Sequence, residues 1–360
     1  MSTTSLCHSC PKLCRHACPV AWADQNEQTT PWGKMSAMLL ADRGELPFNS
    51  ETASLAYKCL TCHASTGACE MGNPVPETLL IYRTKAFQQG VAPTSVQQFA
   101  QGFQRFNNPY PQDLQGGLRR LFPEEFKRPN GKVVYLPGCT EIQFSPKTIR
   151  RTLDLFRQNG TSLELYREPI QCCGYPLYAA GDLENFRELA EVNFQALKNY
   201  REVWSASPIC LNTFKTVYSL HGLRLSAKFV HVAEKLVALL KTPYHRVTRV
   251  AYHDPCYLGR YLGIYEEPRE VIERITGKAP LEFSRSREGS FCCGAGGLLP
   301  ISSPETAEKI TRERLNEYRR TGATCLVSGC PTCVRRFQEV DDKLEVRGLV
   351  DFVYENTRYR

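Results

Sequence analysis

The sequence predicts a mostly helical α+β segment at the front of the chain, followed by two tandem α/β modules with parallel sheets. Three observations carry this. The 17 cysteines are clustered, seven before Gly72 and ten between Cys139 and Cys333. The back half repeats itself: Cys172-Cys173-Gly174 recurs as Cys292-Cys293-Gly294 and Cys210 as Cys330, both at an offset of 120, while Cys139 recurs as Cys256 at an offset of 117. Within each copy, short apolar runs alternate with helical stretches, which is the rhythm of a parallel sheet. The period is far longer than that of a solenoid repeat, so each copy is expected to hold its own core. The expected boundaries are a front domain at 1–90, a linker at 91–131, a first Cys-Cys-Gly (CCG) module at 132–245 and a second at 246–360.

In the first module, Val133-Val134-Tyr135-Leu136 reads as a strand running into the turn Pro137-Gly138-Cys139. In the second, Val247 to Tyr252 reads as a strand running into His253-Asp254-Pro255-Cys256. Gly181-Asp182 opens a helix in the first module. Its counterpart starts at Ser303-Pro304-Glu305, with Ser at the N-cap and Pro in the first turn, and closes at Thr321-Gly322. Apolar runs at Val203-Trp204 and Cys325-Leu326-Val327 read as buried parallel strands. The cysteines are then expected on loops at strand ends, where open α/β sheets place their sites. The stretch from Val91 to Gly131 lacks cysteine and carries turn signals at Asn107-Asn108-Pro109 and Gln115-Gly116-Gly117. It reads as a linker of short helices packed on the surface.

Composition narrows the chemistry. A chain of 360 residues with 42% apolar residues is long enough for real cores. Clustered cysteines in a chain of this size argue against a secreted disulfide framework and for metal binding in a reducing compartment. No basic stretch followed by an apolar run opens the chain, and no run of about 18 apolar residues occurs. A cytoplasmic protein is expected, in the peripheral case on the inner face of a membrane. The net charge of +8 is scattered, so the basic residues read as a solvated surface and not as a nucleic-acid patch.

The first cysteine motif is Cys7-x2-Cys10-x3-Cys14-x3-Cys18-Pro19 and the second is Cys59-x2-Cys62-x6-Cys69. Soft thiolates on one close-spaced loop suit the corners of a cubane iron–sulfur cluster. In the bacterial two-cluster ferredoxin run, the fourth cysteine ligates the other cluster. On that pattern, cluster one takes Cys7, Cys10, Cys14 and Cys69, and cluster two takes Cys59, Cys62 and Cys18. Ser65 stands where a third cysteine of the second motif is expected. Cluster two is therefore either a three-iron cluster or a four-iron cluster with Ser65, His63 or water at one iron; a decayed site or a zinc ion shared by Cys7/Cys10 and Cys59/Cys62 are the bland alternatives.

The second module reads Cys256-x35-Cys292-Cys293-x36-Cys330-x2-Cys333, five thiolates, more than one tetrahedral zinc uses. Gly294, Gly296 and Gly297 are expected to let the backbone approach a cluster. They do not form a dinucleotide fingerprint, because Leu299 replaces its third glycine. The first module has Cys139, Cys172, Cys173 and Cys210, with Thr213 in place of the last cysteine. A cluster, a zinc ion or nothing all fit that set. Cys325 reads as a packing residue. His253 and Asp254 read as turn-shaping residues before proton relays. His8, His16 and His63 sit beside ligands, either tuning them or merely exposed. Trp22, Trp32 and Trp204 read as core.

These motifs resemble a known family. The repeated module is similar to the cysteine-rich domain in the B-type subunit of heterodisulfide reductases. The whole chain resembles the D-type subunit of those enzymes and the iron–sulfur subunits of glycolate oxidase and lactate-utilisation systems. The resemblance rests on Thr30-Pro31-Trp32-Gly33-Lys34, on His253-Asp254-Pro255-Cys256-Tyr257-Leu258-Gly259-Arg260, and on Phe291-Cys292-Cys293-Gly294-Ala295-Gly296-Gly297. It implies a non-cubane four-iron cluster on Cys256, Cys292, Cys293, Cys330 and Cys333. It also implies electron transfer from a flavin 2-hydroxy-acid dehydrogenase partner towards a quinone or membrane acceptor, or reduction of a disulfide. The chain has no flavin or nicotinamide fingerprint and no phosphate loop, so the organic chemistry is expected in a partner. A non-redox zinc scaffold is the remaining alternative.

Overall fold

The computed structural model describes residues 2–127, 131–167, 172–240, 244 and 249–357. The front of the chain is a set of short helices. Among its described residues no strand occurs, which corrects the expected α+β character. Local capping explains why. Thr30 accepts from the Gly33 amide at 3.0 Å to start Pro31–Asp42, and Asn49 accepts from the Thr52 amide at 3.1 Å to start Ser50–Tyr57. The longest front helix is Val75–Gln88, whose buried side chains include Leu79, Tyr82 and Arg83.

The stretch expected as a linker carries Thr94–Phe106 and Leu114–Leu121. Val96, Ala100 and Phe103 line the buried face of the first, Leu114 and Leu118 that of the second. Both are amphipathic helices held by one apolar face.

Each module is a small parallel sheet flanked by helices. In the first, β1 (Val133–Tyr135), β2 (Glu164–Leu165), β3 (Glu202–Ser205) and β4 (Lys228–His231) lie in the order β2-β1-β3-β4. In the second, β5 (Val250–His253), β6 (Cys325–Ser328) and β7 (Val346–Gly348) lie in the order β5-β6-β7. A parallel bridge from Ala251 to Leu281 stands on the open side of β5 where β2 stands beside β1. The two sheets therefore share one topology, as the cysteine repeat requires. Val247 and Thr248 lie outside the described residues; the strand runs from Val250 and takes in His253, which was expected in a turn.

The helices follow the sequence closely. Asp182 accepts from the Asn185 amide ahead of Leu183–Leu197. Pro304–Thr321 starts after Ser303, which makes no side-chain cap, and ends at Gly322 with φ of 68°. Both larger cores draw on both modules: Val134, Phe186 and Tyr218 join Phe291, Ile310 and Phe337 in one, and Tyr135, Phe156 and Val230 join Val250, Ile272 and Val327 in the other. The copies do not carry separate cores.

Candidate metal centres

All 17 cysteines are free. They gather into groups, each placed by a defined element. The first group is Cys7, Cys10, Cys14 and Cys69, near enough that Cys10 and Cys69 help to raise the thiols of Cys7 and Cys14. Cys7 lies in the helix Thr3–His8, and Cys69 returns from the loop after Ala64–Gly67. Asn73 Nδ2 donates to Cys7 Sγ at 2.8 Å. Burial pushes the Cys7 and Cys14 thiols up to about 11. These four cysteines border a cavity of about 220 Å³ that also touches Trp32, Met71 and Ser65. Cys10, Cys14 and Cys69 are half-buried and Met71 is 68% exposed, so this group lies at the surface.

The second group is Cys18, Cys59 and Cys62, all buried. Lys34 is buried among them: its Nζ donates to the Lys58 carbonyl at 2.7 Å and lies 3.9 Å from Cys18 Sγ. The Thr30-Pro31-Trp32-Gly33-Lys34 segment thus divides its work. Thr30 caps, Pro31 takes the first helical position, a Cβ on Gly33 would fall onto the Glu27 carbonyl, and Lys34 brings a cation to the thiols. Ser65, at the position where a further ligand of this group was expected, borders the cavity of the first. His63 is held by Glu77 and packs at a tilt against Tyr261, ring centroids 4.3 Å apart.

In the second module the thiols form a hydrogen-bonded series: Cys256 and Cys293 flank Cys292, and Cys333 joins Cys293 to Cys330. The first module repeats it with Cys139, Cys172, Cys173 and Cys210, and Thr213 reaches Cys173 as Cys333 reaches Cys293. In both, hydrogen bonds from the neighbouring thiols hold the second cysteine of the CCG well below the usual thiol range, and those neighbours are raised. The cysteines are not confined to loops. Cys139 opens the helix Cys139–Phe144, Cys210 lies in Pro208–Asn212, Cys330 caps Pro331–Val340 and Cys333 lies inside it. Cys325 is buried in β6, a packing residue as expected.

His253 is buried, and its Nδ1 accepts from Arg314 Nε at 3.0 Å, which turns the other nitrogen to Cys293. His253, Cys293 and Cys333 offer ligand atoms all within 4.8 Å of one another, and among the described residues they are the one such group. A tetrahedral zinc site needs thiolate sulfurs about 3.8 Å apart. No other three such ligand atoms among the described residues come that close together, and four soft thiolates, as in the Cys7, Cys10, Cys14 and Cys69 group, are the donor set an iron–sulfur cluster takes. Asp254 is held by Arg269 in a two-bond clasp at 2.7 and 2.8 Å.

The glycines of the second module allow close approach by other parts of the chain. A Cβ on Gly296 would fall onto the Leu60 carbonyl, one on Gly297 onto the Cys59 carbonyl, and one on Gly294 onto Thr311 and Ala307. They admit the front segment and a helix. The tryptophans also divide. Trp204 is core, whereas Trp22 is 42% exposed with its edge on Phe291, and Trp32 stacks on His8 under Lys12 Nζ.

Arg83 is the residue that sequence reasoning missed. It is fully buried, and its guanidinium donates to the carbonyls of Ala56, Cys59, Ala179 and Gly297, which belong to the front segment and both modules. Nearby, Thr61 donates to the Leu60 carbonyl and meets the hydroxyls of Tyr175 and Tyr257. A cavity of about 390 Å³ opens beside Cys139, Cys172, Cys173 and Cys210, closed on its far side by Ala295 to Leu298 of the second module.

The family model for the cysteine-rich CCG domain matches residues 133–215 and 250–338. The D-type subunit of the dihydromethanophenazine:CoB–CoM heterodisulfide reductase of Methanosarcina mazei is 31% identical over 311 residues, covering 83% of this chain and 76% of the relative. The chain belongs to the CCG-domain iron–sulfur oxidoreductase subunits. Other members of this family that it resembles are the B-type subunit of the fumarate reductase (CoM/CoB) of Methanothermobacter marburgensis, 28% identical over 62% of this chain and 45% of the relative, and the EtfAB:quinone oxidoreductase of Syntrophomonas wolfei, 26% identical over 77% and 42%. As a CCG-domain subunit it binds iron–sulfur clusters. Among the described residues no helix is long and apolar enough to cross a membrane.

Proposed function

We propose that this chain is the electron-transfer subunit of an oxidoreductase, taking electrons from a flavin 2-hydroxy-acid dehydrogenase partner towards a quinone. Cys7, Cys10, Cys14 and Cys69 hold one cubane-type cluster, and Cys18, Cys59 and Cys62 belong to a second. Cys256, Cys292, Cys293, Cys330 and Cys333 hold a non-cubane cluster, and the first module's four cysteines hold a further group. Bound clusters supply one-electron carriers.

One observation carries this reading: the thiol groups form a graded series. It begins at the half-exposed Cys10, Cys14 and Cys69 and ends at the buried contact of Cys62 with Cys292. The surface end offers a docking edge for a partner at Met71 and Trp32. The buried end excludes water from the thiols. The lack of a nucleotide fingerprint supports a separate flavin subunit, and the quinone in one relative's name is in keeping with the acceptor. Iron and acid-labile sulfide on anaerobically purified protein test this: about 11 to 16 irons per chain with matching sulfide are expected. Acceptor reduction should appear only when the flavin partner is added. Zinc without sulfide would overturn the reading and leave a scaffold.

The cavity beside the first module favours a second reading, reduction of a disulfide, as the names of the heterodisulfide reductase relatives state for them. A substrate disulfide would take two electrons and two protons to give two thiols. Turnover of a small disulfide by the chain alone would select it, and a Cys173→Ser variant with full turnover would exclude the cavity as its site.

A further inference from the structure

The second front group has three thiols where a four-iron cubane needs four, and Ser65, at the expected fourth position, borders the cavity of the first group. A thiol of the second module stands in that place. The Cys292 and Cys62 thiols hydrogen-bond each other. Several independent contacts hold them there. Arg260 Nη1 donates to the Cys62 carbonyl at 3.0 Å, and its Nη2 donates to the Ser290 carbonyl, two residues before Cys292. Phe291, the residue before Cys292, takes the edge of Trp22, which lies on the helix Pro19–Asp24 that Cys18 caps; the ring centroids are 5.7 Å apart. Gly296 and Gly297 close the same module against the Cys59–Leu60 backbone.

We propose that Cys292 is the fourth ligand of the Cys18–Cys59–Cys62 cluster, supplied across some 230 residues of sequence by the second module. The same sulfur touches Cys256 and Cys293, so it also borders the second module's own centre. A thiolate sulfur has lone pairs enough for two irons, so Cys292 would serve the front group and the second module's centre alike if a cluster were bound at each. The deviation at Ser65 is thereby compensated, and the front segment and second module complete one site between them. His63 and water are not needed at the open iron.

This rests on the cluster reading of the front segment, and the two can fail separately. The test uses the full chain, purified without oxygen, with iron and sulfide counted and EPR and Mössbauer spectra recorded. In Cys292→Ala, one cubane should become a three-iron species: about one iron lost from that cluster, its sulfide kept, and an oxidised three-iron signal near one spin per chain. Cys293→Ala should leave both cubanes as four-iron clusters and alter only the second module's signal. The proposal is overturned if Cys292→Ala keeps two four-iron cubanes and loses the second module's signal alone. Should that variant not fold, the unmutated chain decides: two four-iron cubanes as isolated support the proposal, and a three-iron cluster as isolated refutes it. Zinc with no sulfide would defeat the cluster reading itself.

Discussion

At the scale of single residues, two buried side chains set measurable behaviour. His231 ends β4, and its Nε2 faces the carbonyls of Ala206 and Gly329, one from each module. Burial lowers its pKa from 6.5 to about 4. The unfolded chain therefore binds a proton between pH 6.5 and 4 that the folded chain refuses, so stability falls as pH drops through that window. The loss approaches about 3 kcal/mol at the acid end. His231→Gln should flatten this part of the stability profile, read from urea midpoints at pH 4 to 7. Arg83 is the other. Arg83→Met removes a donor from four buried carbonyls and is expected to cost at least about 3 kcal/mol. Arg83→Lys should recover little, because one ammonium cannot reach a fork-shaped set of acceptors.

At the scale of elements, the strands and helices of the modules were legible because their signals are local. Asp182 starts a helix and Gly322 stops one by their own local chemistry, and Val203-Trp204 and Cys325 to Val327 are apolar runs long enough only for strands. The protein partners of the glycines were not legible, because a sequence shows that a Cβ is missing but not what lies opposite. Gly297, with φ of 59° and the Cys59 carbonyl beside it, decides how closely the front segment sits on the second module. Gly297→Ala should destabilise by about 2 kcal/mol or more and disturb the front cluster's EPR spectrum. Gly289→Ala, in open space, should change stability by less than about 0.5 kcal/mol.

At the scale of the whole molecule, the constant spacing of the cysteines revealed the duplication, and it pointed to the thiol groups, since ligand spacing is a covalent property of one loop. It could not reveal that the modules share cores, that Arg83 ties three parts together, or that Cys62 meets Cys292. Each depends on chain segments brought together only by folding. With so many buried thiols in the interior, metal binding and folding are coupled. Removing iron anaerobically with a chelator should lower the thermal midpoint by more than about 10 °C and should speed proteolysis of the 59–72 loop. Equal midpoints before and after iron loss would show that the protein core alone holds the fold.

The closure of the second module over the front loop also sets an order of assembly. The Cys256, Cys292, Cys293, Cys330 and Cys333 side chains have at most 8% exposure once Gly296 and Gly297 rest on Leu60 and Cys59. Burial of this depth predicts an order of assembly: iron and sulfide supplied before the second module closes on Leu60 and Cys59 should be taken up faster than by the closed, metal-free chain, a difference that timed reconstitution of refolding and of prefolded protein would measure.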